Sequence, residues 1–204
     1  ISMKSYRLLL WGILGSIVLV LLFAPILTSA APMQTYPADQ LLPPNGDHIL
    51  GTDYLGRDVW ARLLYGGRYT LGGAFISTLI AISFGCLIGL ASVSLSNMLN
   101  QVILSFINAV LAIPGLLLAL VILTLTGRGT FSLMLAVGLA QIAPIALVVR
   151  GAAAQVLIAD YVVAAHAMGG TRLNILGRHV LRGIWPVLRA YSLVVSIYTI
   201  MNGY

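Results

Sequence analysis

Glutamate is absent from this chain, and lysine occurs once, at Lys4. The 204 residues hold five acids, one cysteine and 8% charged residues, where soluble domains carry about a quarter. Each shortage excludes something. Without a lysine behind a glycine-rich loop there is no Walker A site for nucleotide phosphates, so the chain is not a P-loop ATPase. A lone thiol, Cys86, supports neither a disulfide framework nor a cysteine zinc site. The acids are Asp39, Asp47, Asp53, Asp58 and Asp160, all outside the apolar runs. Proton-coupled carriers place a carboxylate or histidine inside the membrane, so that class is disfavoured. No G-x-S-x-G occurs and no histidine lies within an apolar run, which disfavours a membrane-embedded serine protease. A basic groove interleaved with aromatics, as single-strand binders use, is also missing, so no nucleic-acid partner is expected.

What is present is apolar. Hydrophobic residues make up 60% of the chain and the mean hydropathy is +1.02, which predicts an all-α, polytopic membrane protein, a helical bundle in lipid. Five apolar segments have about the 20 residues that a spanning helix needs: Leu8–Thr28, Leu71–Leu95, Val102–Thr126, Phe131–Val149 and Ile184–Asn202. Pro25, Pro114 and Pro144 fall within or near them. Gly85 and Gly89 form a small-xxx-small pair, read as a close helix contact. For the first segment, Lys4 and Arg7, the apolar run and Thr28-Ser29-Ala30 also fit a secretory signal; its length and the spans that follow favour an uncleaved helix. The expected organisation is an N-terminal transmembrane helix over 1–30, an extracytoplasmic segment over 31–70, and a core over 71–204 with a cytoplasmic loop at 151–183.

The cations orient these spans. With the N-terminus in the cytoplasm, Lys4, Arg7, Arg150, Arg172, Arg178, Arg182 and Arg189 lie inside, and Arg57, Arg62, Arg68 and Arg128 outside. Seven cations against one acid leave +6 inside; four against four leave zero outside. The basic pI of 9.8 thus reflects topology. The outer segment contains GTDYLGRDVWARLLYGGRYTL, Gly51 to Leu71, where Asp53 is placed to N-cap a helix reaching Tyr65. Leu55, Val59, Arg62 and Leu63 share one side of it, with Trp60 and Tyr65 as interfacial aromatics. This predicts an amphipathic surface helix; the alternative is a contact for an extracytoplasmic partner, with Asp53, Arg57, Asp58 and Arg62 as its polar face.

Inside lies DYVVAAHAMGGTRLNILGRHVLR, Asp160 to Arg182. Asp160 is placed to cap a helix over Tyr161–Met168 that Gly169-Gly170 ends, and Thr171 to cap a second one reaching Arg182. Small Ala164 and Ala165 would let another surface approach closely. Leu173, Leu176 and Val180 form an apolar face on the second helix. The alternative is an amphipathic connector resting on lipid headgroups.

Val163-Ala164-Ala165, Gly169 and Arg178-His179-Val180-Leu181 resemble the EAA loop of ABC importer permeases. Gly51–Leu71, AIPGLLLAL at Ala112–Leu120 and VVRG at Val148–Gly151 resemble the C-type permease subunit of dipeptide, oligopeptide and nickel importers, over most of the chain and in order. The resemblance implies the type I importer permease fold of about six helices. The chain begins at Ile1 and stops at Tyr204 within an apolar segment, so it is expected to lack the last. It further implies a bacterial inner-membrane location, a second permease subunit, two cytoplasmic ATPases carrying the ATP and magnesium, an extracytoplasmic solute-binding protein, and no cofactor on this chain. Val163, Ala164, Ala165, His166, Met168, Gly169, Gly170 and Thr171 are then the ATPase-coupling residues. The chain departs from the family's pattern at Val163 (usually Glu), Arg182 (usually Pro), Ser105 and Asn108 (often Arg and Asp) and Leu147 (often Arg).

Ser77, Ser83, Asn108 and Gln141, polar side chains within or near spans, are candidates to line part of a translocation path between two permease subunits. His48, His166 and His179 do not make a metal site in this topology, because His48 lies on the opposite side from the other two. The solute class stays open among peptides, nickel and metal chelates. A channel or scaffold subunit without ATP coupling is the alternative function.

Overall fold

The computed structural model describes residues 3–28, 30–127 and 129–202, and side chains from Gly12 onward except Leu14 and Asn202. The described residues are helical apart from loops and one isolated antiparallel bridge between Thr52 and Asp58. The chain divides into two compact units, Ile1–Gly72 and Gly73–Tyr204.

The first unit carries α1 (Met3–Leu22), α2 (Ala24–Leu27), a 3-10 turn at Pro37–Asp39 and the start of α3 (Val59–Ser94). Pro25 sits in the first turn of α2, where its missing N–H costs nothing. Gly67 brings α3 against α1: a Cβ there would stand 2.6 Å from Leu21 Cδ2. The expected first span falls on α1 and α2. Its side chains through Trp11, the cations Lys4 and Arg7 among them, together with Leu14 and Ser29, lie outside the described residues, as does Arg128.

The second unit holds the rest of α3 and then α4 (Asn97–Leu111), α5 (Gly115–Thr126), α6 (Thr130–Ala140), α7 (Ile142–Leu157), α8 (Asp160–Ala167), α9 (Arg172–Ile175), a π turn at Leu176–Val180 and α10 (Leu181–Asn202). By length and composition, three described helices can cross a membrane: Val59–Ser94, Thr130–Leu157 and Arg172–Met201. All three are longer than the apolar runs that foretold them. The 36 residues of α3 alone extend roughly 54 Å, well past a hydrocarbon core of about 30 Å.

Two expectations are corrected here. Val102–Thr126 is not one straight span: α4 and α5 meet at 90°. Pro114 has no N–H to continue α4 and disfavours helical backbone at Ile113; it becomes the N-cap of α5 instead. The halves measure roughly 22 and 18 Å, so each is too short to cross alone. The helix after Thr171 also does not stop near Arg182. It passes through the π turn into α10, and Gly177, Gly183 and Pro186 all lie within this stretch without ending it.

Packing follows the small residues. A Cβ at Gly85 would lie 2.6 Å from Ile145 Cγ2, and one at Gly89 2.7 Å from the Ala146 carbonyl, so this pair is the seam between α3 and α7. Gly138 brings α6 against Ser77 and Ile80 of α3 in the same way. In lipid, such contacts gain dispersion energy rather than hydrophobic free energy, which favours close backbones. The main core joins Ala81 of α3, Ile145, Val149 and Ala153 of α7, Val162 of α8, and Ile175, Val180, Ile184 and Leu188 of the final helix. A smaller cluster sets Ile107 of α4 against Ala143 and Ala146.

Candidate functional site

The Asp160–Arg182 segment is built as two short helical pieces around a glycine turn. Ala159, not Asp160, occupies the N-cap of α8, and no side chain caps it. Asp160 is the first helical residue, where its charge favours the positive end of the helix dipole. At the other end Gly169 adopts φ +85°, its N–H donating to the His166 carbonyl while Gly170 N–H donates to Ala165, both at 3.0 Å. That is a Schellman closure, with the glycine at the position that needs left-handed backbone. Thr171 then N-caps α9, its hydroxyl accepting from Asn174 N–H at 3.4 Å.

One face of this segment is anchored and the other is free. Val162 and Ile175 are buried in the core shared with α3, α7 and α10. Arg172 Nη1 donates to the Ser94 carbonyl at 3.3 Å, satisfying an end carbonyl of α3 and complementing its dipole. Between these anchors lies a cleft of about 350 Å³, whose lining includes Ser94, Asn97, Val163, His166 and Arg172. Val163, Ala164, His166, Met168, Gly169 and Thr171 are exposed, while Ala165 and Gly170 are half-buried. A Cβ on Gly169 would meet nothing within 4 Å.

The Gly51–Arg62 block is folded by its own polar residues. Asp58, not Asp53, caps α3: its Oδ1 accepts from Ala61 N–H at 2.7 Å, and its Oδ2 lies 2.8 Å from His48 Nδ1. The separate surface helix ending at Tyr65 does not form, because nothing interrupts α3 between Val59 and Ser94. Asp53 closes the preceding turn, accepting from the N–H groups of Leu55 and Arg57 at 2.8 and 3.0 Å, from Arg57 Nε at 2.8 Å, and from Arg62 Nη1. Desolvation alone would raise its pKa. The Arg57 and Leu55 backbone bonds and the Arg57 charge outweigh that and lower it to about 2. Gly51 and Gly56 adopt φ of +73° and +74°, and a Cβ on either would overlap a carbonyl oxygen, that of Leu42 and of Tyr36 respectively. The side chains of Asp53, Arg57 and Arg62 therefore come together, while the Asp58 carboxylate turns to His48 and the Ala61 N–H.

The model of the "Binding-protein-dependent transport system inner membrane component" family matches residues 70–204. The chain belongs to this family. It is 29% identical to the dipeptide transport system permease protein DppC of Alkalihalophilus pseudofirmus, over 88% of this chain and 60% of that protein. It is 31% identical to a putative peptide transport system permease of Brucella suis, over 97% of this chain and 66% of that one. Against the peptide transport system permease protein SapC of Escherichia coli O6:H1 the identity is 36%, over 70% and 50%. The chain thus spans about three-fifths to two-thirds of the length of the first two of these relatives.

The candidate path residues do not share one environment. Ser77 is fully buried, its hydroxyl donating to the Met134 carbonyl at 2.7 Å, so it ties α3 to α6 and is closed off from any path. Ser83 and Asn108 are exposed; Gln141 is half-buried at the junction of α6 and α7. Two buried polar atoms on the packed pair α4 and α7 escaped the sequence reading: Asn100 Oδ1 and Arg150 Nε have no hydrogen-bond partner among the described residues. Arg150 enters the sequence reading through the charge balance and the VVRG motif, and an arginine between apolar turns was the signal of a buried role. Among the described residues no group of three or more His, Cys, Asp or Glu could hold a metal ion. His179 instead pairs with the Tyr161 ring, centroids 6.0 Å apart.

Proposed function

We propose that this permease is a membrane-spanning subunit of an ATP-driven importer, and that α8 is its coupling element. The cargo class we infer is small peptides, supported by the peptide and dipeptide permeases among its relatives. The N-terminus faces the cytoplasm, and two ATPases, a second permease and an extracytoplasmic binding protein complete the assembly. ATP and magnesium are held by the ATPases.

The observation that carries this reading is the division of α8 into an anchored face and a free one. Val162, with Ile175 beyond the turn, packs into the core that includes α3, α7 and α10. Val163, Ala164, His166 and Met168 lie open. A push on the free face therefore moves three long helices together, because a packed core transmits displacement rather than absorbing it. Closure of the ATPases on α8 would bias the spans between inward-open and outward-open arrangements as a rigid-body, two-state change. The usual acid at position 163 is Val163 here, so α8 would be gripped by shape and apolar contact. Ser83, Asn108 and Gln141 remain the candidates for the path.

Ala164→Trp tests this directly. Ala164 is exposed, so the variant should insert and fold, while its indole blocks close approach to α8. In the assembled transporter, uptake should fall at least about tenfold while ATP hydrolysis continues. Unchanged uptake per ATP would remove α8 from the coupling path, and uptake needing no ATPase at all would favour a channel.

A further inference from the structure

A second groove, about 390 Å³, lies on the first turns of the final long helix, lined by Leu173, Asn174, Gly177, Arg178 and Arg182. Asn174, Arg178 and Arg182 recur at four-residue intervals and so fall on one side of the helix, across the π turn that holds Arg178. Neither arginine has an acidic partner: the ion pairs among the described residues all lie between His48 and Arg62, and the only acid after Asp58 is Asp160. Two exposed guanidiniums without a counter-ion are an incomplete electrostatic unit.

The groove's position indicates what completes it. Arg172–Met201 is apolar enough to cross a membrane, and the groove occupies its first eleven residues, at the boundary of the span. One turn further on, Trp185 is half exposed and Arg189 stacks over its ring at 5.5 Å, an aromatic–cation pairing suited to the headgroup layer. Leu173, which lines the groove, is 83% exposed, giving an apolar wall beside the cationic one. Guanidinium forks match phosphate oxygens two at a time, and the Asn174 amide adds a neutral donor. We infer that this groove binds the phosphodiester of an anionic phospholipid headgroup. Arg178 and Arg182 supply the charge, Asn174 a further hydrogen bond, and Leu173 the contact for the glycerol and upper acyl carbons. Basic pockets beside membrane helices hold acidic headgroups by this combination. The inference rests on the helix crossing a membrane and is independent of the coupling role proposed for α8.

The test uses the chain with whatever subunits co-purify, delipidated in neutral detergent and titrated with phosphatidylglycerol, phosphatidylcholine or inorganic phosphate, with bound lipid read by native mass spectrometry. Phosphatidylglycerol should bind at least tenfold more tightly than phosphatidylcholine. Arg178→Gln with Arg182→Gln should weaken it at least tenfold, Arg178→Lys with Arg182→Lys should retain most of it, and Arg68→Gln, an exposed cation that does not line the groove, should leave it unchanged. Thermal exposure of the single thiol, Cys86, confirms that each variant is folded. Equal binding of the two lipids, or full binding by the Gln pair, overturns the proposal. Displacement by millimolar inorganic phosphate would mark a free-anion site and overturn it too. So would loss of lipid binding whenever the ATPases are present, which would make the groove a protein interface.

Discussion

The Gly51–Arg62 block and the Asp160–Arg182 segment draw on the same ingredients, left-handed glycines and arginines, and arrange them in opposite ways. In the first, Gly56 is pressed against the Tyr36 carbonyl, and Arg57 and Arg62 both spend their charge on Asp53. In the second, Gly169 faces empty space, and Arg178 and Arg182 have no acid to meet. The first region is closed upon its charges: Asp53, Arg57, Asp58 and Arg62 all find partners close by and fix the turn that launches α3, and Trp60 Nε1 is its one buried side-chain polar atom without a hydrogen-bond partner among the described residues. The second is closed only on its buried side. The contrast separates residues that specify a fold from residues left over for something else. It also explains why the more specific motif is the less suggestive one. GTDYLGRD is a dense set of backbone instructions, whereas the looser Ala-Ala…Gly pattern leaves a surface open.

The comparison is broken most sharply by placing the same side chain at both glycines. Gly56→Val should cost on the order of 4 kcal/mol, since it combines left-handed strain with an overlap against backbone that cannot move aside. Gly169→Val carries the strain alone, about 1–2 kcal/mol, and Gly169→Asn should be better tolerated, because asparagine visits left-handed backbone. Limited proteolysis of each segment in detergent reads the difference. If both valine variants are cleaved equally fast, crowding at Gly56 does not matter and the contrast between the regions fails.

A smaller effect is expected at Asp58. Its carboxylate is the N-cap of α3 and the partner of His48. Asp58→Ala removes both and should destabilise the start of α3 by about 1–2 kcal/mol. Asp58→Ser, which restores a capping oxygen without the charge, should recover roughly half. Backbone hydrogen exchange at Ala61 reports the cap directly; protection there unchanged in Asp58→Ala would contradict its role.

Much of this was legible in the residues. Apolar runs located the long helices, the Gly85–Gly89 spacing marked the α3–α7 seam, and Gly169-Gly170 and Thr171 marked the turn after α8. What failed did so for identifiable reasons. Asp53 and Asp58 are both good capping residues five apart, and only the left-handed turn at Gly56 assigns one to the turn and the other to the cap. Helix ends were set too short because Val59, Trp60, Arg62 and Tyr65 read as a separate surface element, yet no glycine or proline breaks the helix before Ser94. A proline inside the Val102–Thr126 run does not by itself say whether the run bends or breaks; here Pro114 ends one helix and caps the next at a right angle. Ser77 looked like path lining because periodicity gives a polar residue a face but not the identity of its neighbour, here the Met134 carbonyl. The partners of Arg178 and Arg182 are not legible in the sequence, since no acid among the described residues pairs with them.

The last prediction separates the regions by pH. Hydrogen bonds and the Arg57 charge lower the Asp53 pKa from 3.8 to about 2. A carboxylate whose folded value is lowered is protonated first in the unfolded segment, so as pH falls the unfolded state gains protons before the folded one. The stabilisation is therefore fully present above about pH 4 and is lost as the pH falls from there toward 2. Proteolytic nicking of the Tyr36–Asp58 loop by an acid protease should rise across that window, and Asp53→Asn should flatten that rise. The Asp160–Arg182 turn provides the internal control. Its one acid, Asp160, takes no part in any ion pair among the described residues, and the turn is closed by backbone bonds from glycine N–H groups. Its cleavage should change less over the same range. A turn at Gly169 that opened in parallel with the loop would show that acid loosens the whole chain, and the particular role given to Asp53 would be withdrawn.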